Sequence, residues 1–102
     1  MDKIQSESFN RVLKDKYGIE WFNGLATSYY TDGKTDGLYR RVSEHELIGI
    51  MVSELYRKGL YLQPKFDGWH LVHMADSEYD RELGNQSLPQ ALTKAVESVD
   101  WS

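Results

Sequence analysis

The sequence predicts a small α+β domain: a short antiparallel sheet packed with helices, on both faces of the sheet because both carry apolar residues. Three observations carry that expectation. The strings SEHE at 43–46 and SLPQ at 87–90 each open a stretch of helical apolar period. Between them, LYLQPKFDGWHLVHMA places two apolar runs around an Asp-Gly turn signal, which reads as a β-hairpin over about 60–75. The chain of 102 residues has the length of one globular domain, 1–102.

The first helix is expected over about 8–17. Ser6 or Ser8 can cap it, Phe9, Val12, Leu13 and Tyr17 form its apolar side, and Gly18 suits a left-handed stop. Residues 19–30 settle into no single period, and their Thr and paired Tyr suggest a strand over 25–30, with any further strands expected within 25–42. Trp21 and Phe22 read as core. The doubled TDG of TDGKTDG, residues 31–37, reads as a solvated turn, because Gly accepts positive φ and Asp can bond its own backbone.

The central helix, about 43–58, is specified at both ends. Ser43 with Glu46 forms a capping box, Val42 and Leu47 form a hydrophobic staple, and Gly59 follows the cationic last turn of Arg57 and Lys58. Its apolar positions cover more than half the circumference, with Glu54 as an intruder, so it should be packed on more than one side. In the hairpin, a three-residue loop of Phe66, Asp67 and Gly68 is expected to pair Lys65 with Trp69 and Pro64 with His70, sparing the ladder the missing proline N–H. That register puts Leu60, Leu62, Pro64, Val72 and Met74 on one face and Tyr61, Trp69 and Leu71 on the other. Pro64 marks the first strand as an edge. Residues 76–85 read as a polar connection. The last helix, about 87–99, is capped by Ser87 with Gln90 and Pro89 in its first turn, and Trp101 is placed to fold back over its end.

Charge and composition exclude several functions. A net charge of −4 gives no general attraction to nucleic acid or anionic membrane. With no cysteine there is no disulfide, thiolate nucleophile or Cys-based zinc site. The N-terminus has no apolar leader and no stretch spans a bilayer, so a cytoplasmic protein is expected. His45 lies in a helical turn, while His70 and His73 have opposite parity on one strand, so the histidines suggest no shared metal, and no cofactor motif is present.

Two clusters remain as candidate binding residues. Asp76, Glu78, Asp80 and Glu82 alternate, so an extended backbone would line them on one side, able to meet a basic partner. Tyr39, Arg40 and Arg41, with Arg57 and Lys58, could contact nucleic acid by stacking and phosphate pairing.

Three short stretches carry a family resemblance: SYYTD at 28–32, GWHLV at 68–72 and SLPQAL at 87–92. In their order, and with the helices between them, the chain resembles the small phage-encoded α-β-α sandwich proteins. It departs from that pattern in the insertion GKTDGLYRRVSEHE before the central helix. The resemblance implies a fold and a phage or prophage origin, and assigns chemistry to no residue. The expectation is a non-enzymatic accessory protein that works by binding a host protein, with inhibition of a host defence as one form. A nucleic-acid-associated regulator and a self-associating structural protein, a homodimer, are the alternatives.

Overall fold

The computed structural model describes residues 1–35 and 38–102, and the side chains of 1–33 and 40–102. Helix α1 (Glu7–Val12) continues as a π-helical turn (Leu13–Tyr17). Strands β1 (Ile19–Asn23), β2 (Ser28–Thr35) and β3 (Leu38–Arg41) precede α2 (Glu44–Arg57). Strands β4 (Leu60–Lys65), β5 (Gly68–His73) and β6 (Asp80–Gly84) lead to α3 (Leu88–Glu97). The strands form two antiparallel three-stranded sheets, ordered β1-β2-β3 and β4-β5-β6. The α+β class therefore stands, with two sheets rather than one.

The helix ends follow the caps. Ser6, Ser43 and Ser87 each accept a hydrogen bond from the backbone N–H three residues on. The box at Ser87 closes both ways with Gln90. At Ser43 the hydroxyl accepts from the Glu46 N–H, while the Glu46 carboxylate is held chiefly by Arg40. Gly18 and Gly59 take left-handed φ of 68° and 78° after the first and second helical segments.

Helices α2 and α3 pack on each other and on one face of the second sheet. Leu47, Met51 and Leu55 of α2 and Ala91, Leu92, Ala95 and Val96 of α3 are buried with Leu60, Leu71 and Leu83. The opposite face of this sheet carries exposed Tyr61, Gln63, Asp80 and Glu82, so helices cover one face and not two. Trp101 folds back as its position suggests, edge-on to Phe9 at 4.9 Å and donating from its indole to Val96 O at 2.7 Å. Glu54, the acid in the apolar face of α2, is buried against the π-turn. There it accepts from Lys16 Nζ at 2.7 Å and Tyr17 Oη at 2.6 Å. Burial works to raise its pKa, and those two donors outweigh it and hold the carboxyl below its ordinary value.

Three expectations need correction. The hairpin register is one residue away from the expected one: Lys65 pairs with Gly68, Pro64 with Trp69 and Leu62 with Leu71, around a two-residue turn of Phe66 and Asp67. Gly68 belongs to the strand, not the turn, with φ of 123° and a carbonyl at Gly84 only 2.6 Å from where a Cβ would sit. Pro64 still lies at a non-hydrogen-bonded pair, so the proline condition holds in this register too, and β4 is an edge as expected. The shift changes the pairing of faces, so that Leu60, Leu62, Trp69 and Leu71 lie together toward the helices. Second, residues 31–35 of the expected TDGKTDG turn belong to β2, which breaks register between Asp32 and Thr35. Asp36 and Gly37, on which the second half of that turn reading falls, lie outside the described residues. Third, 76–85 is not all connection. Residues 80–84 form β6, which a bulge opposite Trp69 and His70 fits to β5. Strand β1 likewise takes up residues that the sequence left unassigned.

Candidate functional site

Two surfaces concentrate chemistry, one on each sheet. The first is built by the β1–β2 hairpin. Its register sets Trp21 opposite Tyr30 and Phe22 opposite Tyr29, so alternate residues face opposite ways. The Trp21 and Tyr30 side belongs to the core, with the two rings 4.9 Å apart edge-on and Tyr30 fully covered. The Phe22 and Tyr29 side faces outward. Phe22, expected in the core, is 49% exposed, and Leu25 at the hairpin tip is fully exposed. The Phe22 and Tyr29 ring centroids are 5.3 Å apart. Arg41, opposite Thr31 on the same face, lays its guanidinium over the Tyr29 ring at 5.2 Å. The result is an aromatic ladder with an arginine at one end and a leucine at the tip.

The structure does not assemble the expected basic patch. Arg40 points elsewhere than Arg41: its Nη atoms hold both oxygens of Glu46, at 2.7 and 3.0 Å, and Asp32 at 3.3 Å. Glu46 is the first cause, and Asp32 the second, of a guanidinium pKa raised above its ordinary value. Arg57 and Lys58 stand at the other end of the 14-residue α2, about 20 Å along its axis. There Arg57 lies 3.8 Å from Glu54 and Lys58 over the Trp101 ring at 5.3 Å. The side chain of Tyr39 lies outside the described residues.

The second surface is the outer face of β4-β5-β6. Because β6 is extended, Asp80 and Glu82 fall on one side, opposite Val72 and His70 of β5. Asp76 and Glu78 do not join them: Asp76 Oδ1 accepts from the Glu78 N–H at 3.0 Å in the turn before β6. His70 is buried although it sits on this outer face. Its Nδ1 is 2.5 Å from Asp80 Oδ1 and its Nε2 is 2.7 Å from Asp67 Oδ1. Two carboxylate acceptors call for a donor at each nitrogen, and Asp80 first, then Asp67, raise the imidazole pKa. Lys65 Nζ, 2.6 Å from Asp80 Oδ2, is the first cause of a lowered Asp80 pKa, with His70 second. Glu82 is pushed up, chiefly by the adjacent Asp67 carboxyl, and Asp67 is lowered by the same neighbour and by His70.

Of the residues on these two surfaces, the sequence singles out Asp80, Glu82 and Arg41 as candidates and does not single out Phe22, Leu25, Tyr29, Asp67 or His70. The signal for the first three is the alternation of IEWFN and SYY about a turn, visible once both are read as strands. For Asp67 and His70 it is their placement three apart across the hairpin turn, next to a strand carrying two acids. No protein-family model, no curated protein and no solved structure matches this chain, so both surfaces are read from their own chemistry.

Proposed function

We propose that this protein is a non-enzymatic binding module that docks another protein on the outer face of its first sheet. The observation that carries the reading is the exposure of Phe22 beside Tyr29 and Arg41 on one hairpin face, with Leu25 fully exposed at the hairpin tip. Aromatic residues and arginine dominate the energetics of protein interfaces, the aromatics because they cover a large area with few rotatable bonds and arginine because its planar guanidinium stacks on rings and donates in a fixed fork. Exposed apolar side chains gathered on a single face are of the kind that marks an interaction site. The partner class proposed is a host protein in the cytoplasm, with a defence protein as its specific form. It rests on the short motif resemblance at 28–32, 68–72 and 87–92, not on the sheet architecture, whose helices cover one face of the second sheet.

Protein is favoured over nucleic acid by the state of the cations. Arg40 is held by two acids and Arg57 and Lys58 are far along α2, so these three cations do not gather around Arg41. A chain of net charge −4 whose Arg40, Arg41, Arg57 and Lys58 are dispersed has little counterion release to offer.

The test uses the tagged chain as bait in host lysate, in parallel with a Phe22→Ala, Tyr29→Ala double variant and a Tyr61→Ala control on the other sheet. One stoichiometric partner retained by wild type and control, and lost by the double variant, supports the reading. Equal recovery by all three baits, or no specific partner, contradicts it. Self-association would appear instead as a mass that doubles with concentration in light scattering, and its loss in the same double variant would assign the face to a homodimer.

A further inference from the structure

We propose that Asp67, His70 and Glu82 form a binding site for a divalent transition-metal ion of the zinc type, held between the β4–β5 turn and β6. This site is independent of the docking face on the first sheet. Strand alternation turns His70 and His73 apart, and the fold brings two other donors to His70 instead. One ligand atom from each of Asp67, His70 and Glu82 lies within 4.8 Å of the others. Ligand atoms sharing one Zn²⁺ stand about 3–4 Å apart, given metal–ligand bonds of about 2.0–2.2 Å. Asp67 and Glu82 are both exposed, so their side chains can close that difference while His70 stays fixed by burial.

The surroundings of His70 match what a metal-binding histidine needs. Its Nδ1 faces Asp80 Oδ1, and Lys65 holds the other Asp80 oxygen, so the ring is oriented from behind with Nε2 turned to Asp67. A carboxylate on the far nitrogen fixes the tautomer and strengthens the nitrogen that binds metal. Two carboxyls crowded together repel as anions, and a dication relieves that repulsion. One nitrogen and two oxygens suit a borderline ion such as Zn²⁺ better than Ca²⁺, which takes six or more oxygens. On binding, the proton that Nε2 shares with Asp67 leaves to solvent, and the ion takes its place. Three protein ligands leave a coordination position open to water or to a group from a partner.

The experiment is calorimetric titration of Zn²⁺ into chelator-treated protein near neutral pH, with ¹⁵N NMR of the histidine rings. Wild type and an exposed-histidine control, His45→Ala, should each take up one ion per chain. His70→Ala and Glu82→Gln should abolish saturable uptake. Asp80→Asn, which alters a positioning residue, should weaken it about 10-fold or more. On Zn²⁺ addition the His70 Nε2 resonance should shift while Nδ1 keeps its proton, and Asp80→Asn should remove that protection of the Nδ1 proton. Should His70→Ala lose its near-UV circular dichroism, the surface change Glu82→Gln carries the same test. No saturable uptake by wild type, uptake unchanged in Glu82→Gln, or full displacement of Zn²⁺ by equimolar Ca²⁺ would overturn the proposal.

Discussion

The hydroxyl of Tyr30 accepts a 2.9 Å hydrogen bond from the backbone N–H of Ile4. It also donates to Asn10 Oδ1 at 2.6 Å, and both Tyr30 and Ile4 are buried. One phenol on the central strand of the first sheet therefore ties together the N-terminal segment, α1 and the core beneath the hairpin. Replacing it by Phe keeps the ring and strands a buried N–H. Tyr30→Phe should lower unfolding free energy by about 1–3 kcal/mol, read from urea denaturation. An unchanged midpoint would show that the bridge contributes nothing.

The same phenol predicts how the fold fails in base. Burial is the largest cause pushing Tyr30 up to about 12 from an ordinary 10.0, with Glu97 adding to the shift and the Ile4 bond opposing it. Tyr17 is likewise raised to about 12, by burial and then by Glu54. Between those values the folded chain keeps protons that the unfolded chain has lost. The stabilisation is whole below pH 10 and is lost as pH rises through about 12. Urea midpoints taken upward from pH 9 should fall beyond about 10, and less steeply in Tyr30→Phe.

Two glycines should respond oppositely to alanine. Gly68 has φ of 123° and would place a Cβ 2.6 Å from Gly84 O, so Gly68→Ala should cost about 1–3 kcal/mol. Gly49 lies exposed within α2 with nothing within 4 Å of a new Cβ. Gly49→Ala should stabilise by about 0.5–1 kcal/mol. Thermal midpoints of the two variants moving in the same direction would contradict the placement of Gly68 in the strand.

The helices were legible because their ends are written in side chains: Ser43 and Ser87 as caps, Gly18 and Gly59 as stops. Strand β6 was not, since among Asp80, Arg81, Glu82 and Leu83 only Leu83 is apolar and buried. Its charge alternation is a strand signal only once a partner is known, and the partner, β5, is fixed by the hairpin register. That register slipped by one because Asp67-Gly68 reads locally as a turn. The constraint that moves Gly68 into the strand is the carbonyl of Gly84, 16 residues away in sequence, which no local pattern reveals. Glu54 is a further case. An acid in an apolar stripe stood out in the sequence only as an intruder, and the structure explains it by the π-turn pair Lys16 and Tyr17 that holds it.

The grip of Arg40 on Glu46 bears on the nucleic-acid alternative. A guanidinium already engaged with two acids has little left for phosphate. Single-stranded DNA or RNA titrated at low salt should give no saturable shift, and Arg41→Ala should leave that result unchanged. Tight binding that weakens steeply with salt would contradict the protein-docking account.

The most direct measurement of that account is the affinity of the recovered partner for wild type, for Phe22→Ala, Tyr29→Ala, and for Tyr61→Ala. The account predicts a loss of about 30-fold or more in the double variant, the size of an interface hot spot, with the Tyr61 variant within a few-fold of wild type. Equal affinities across the three proteins, with folding intact, would contradict it.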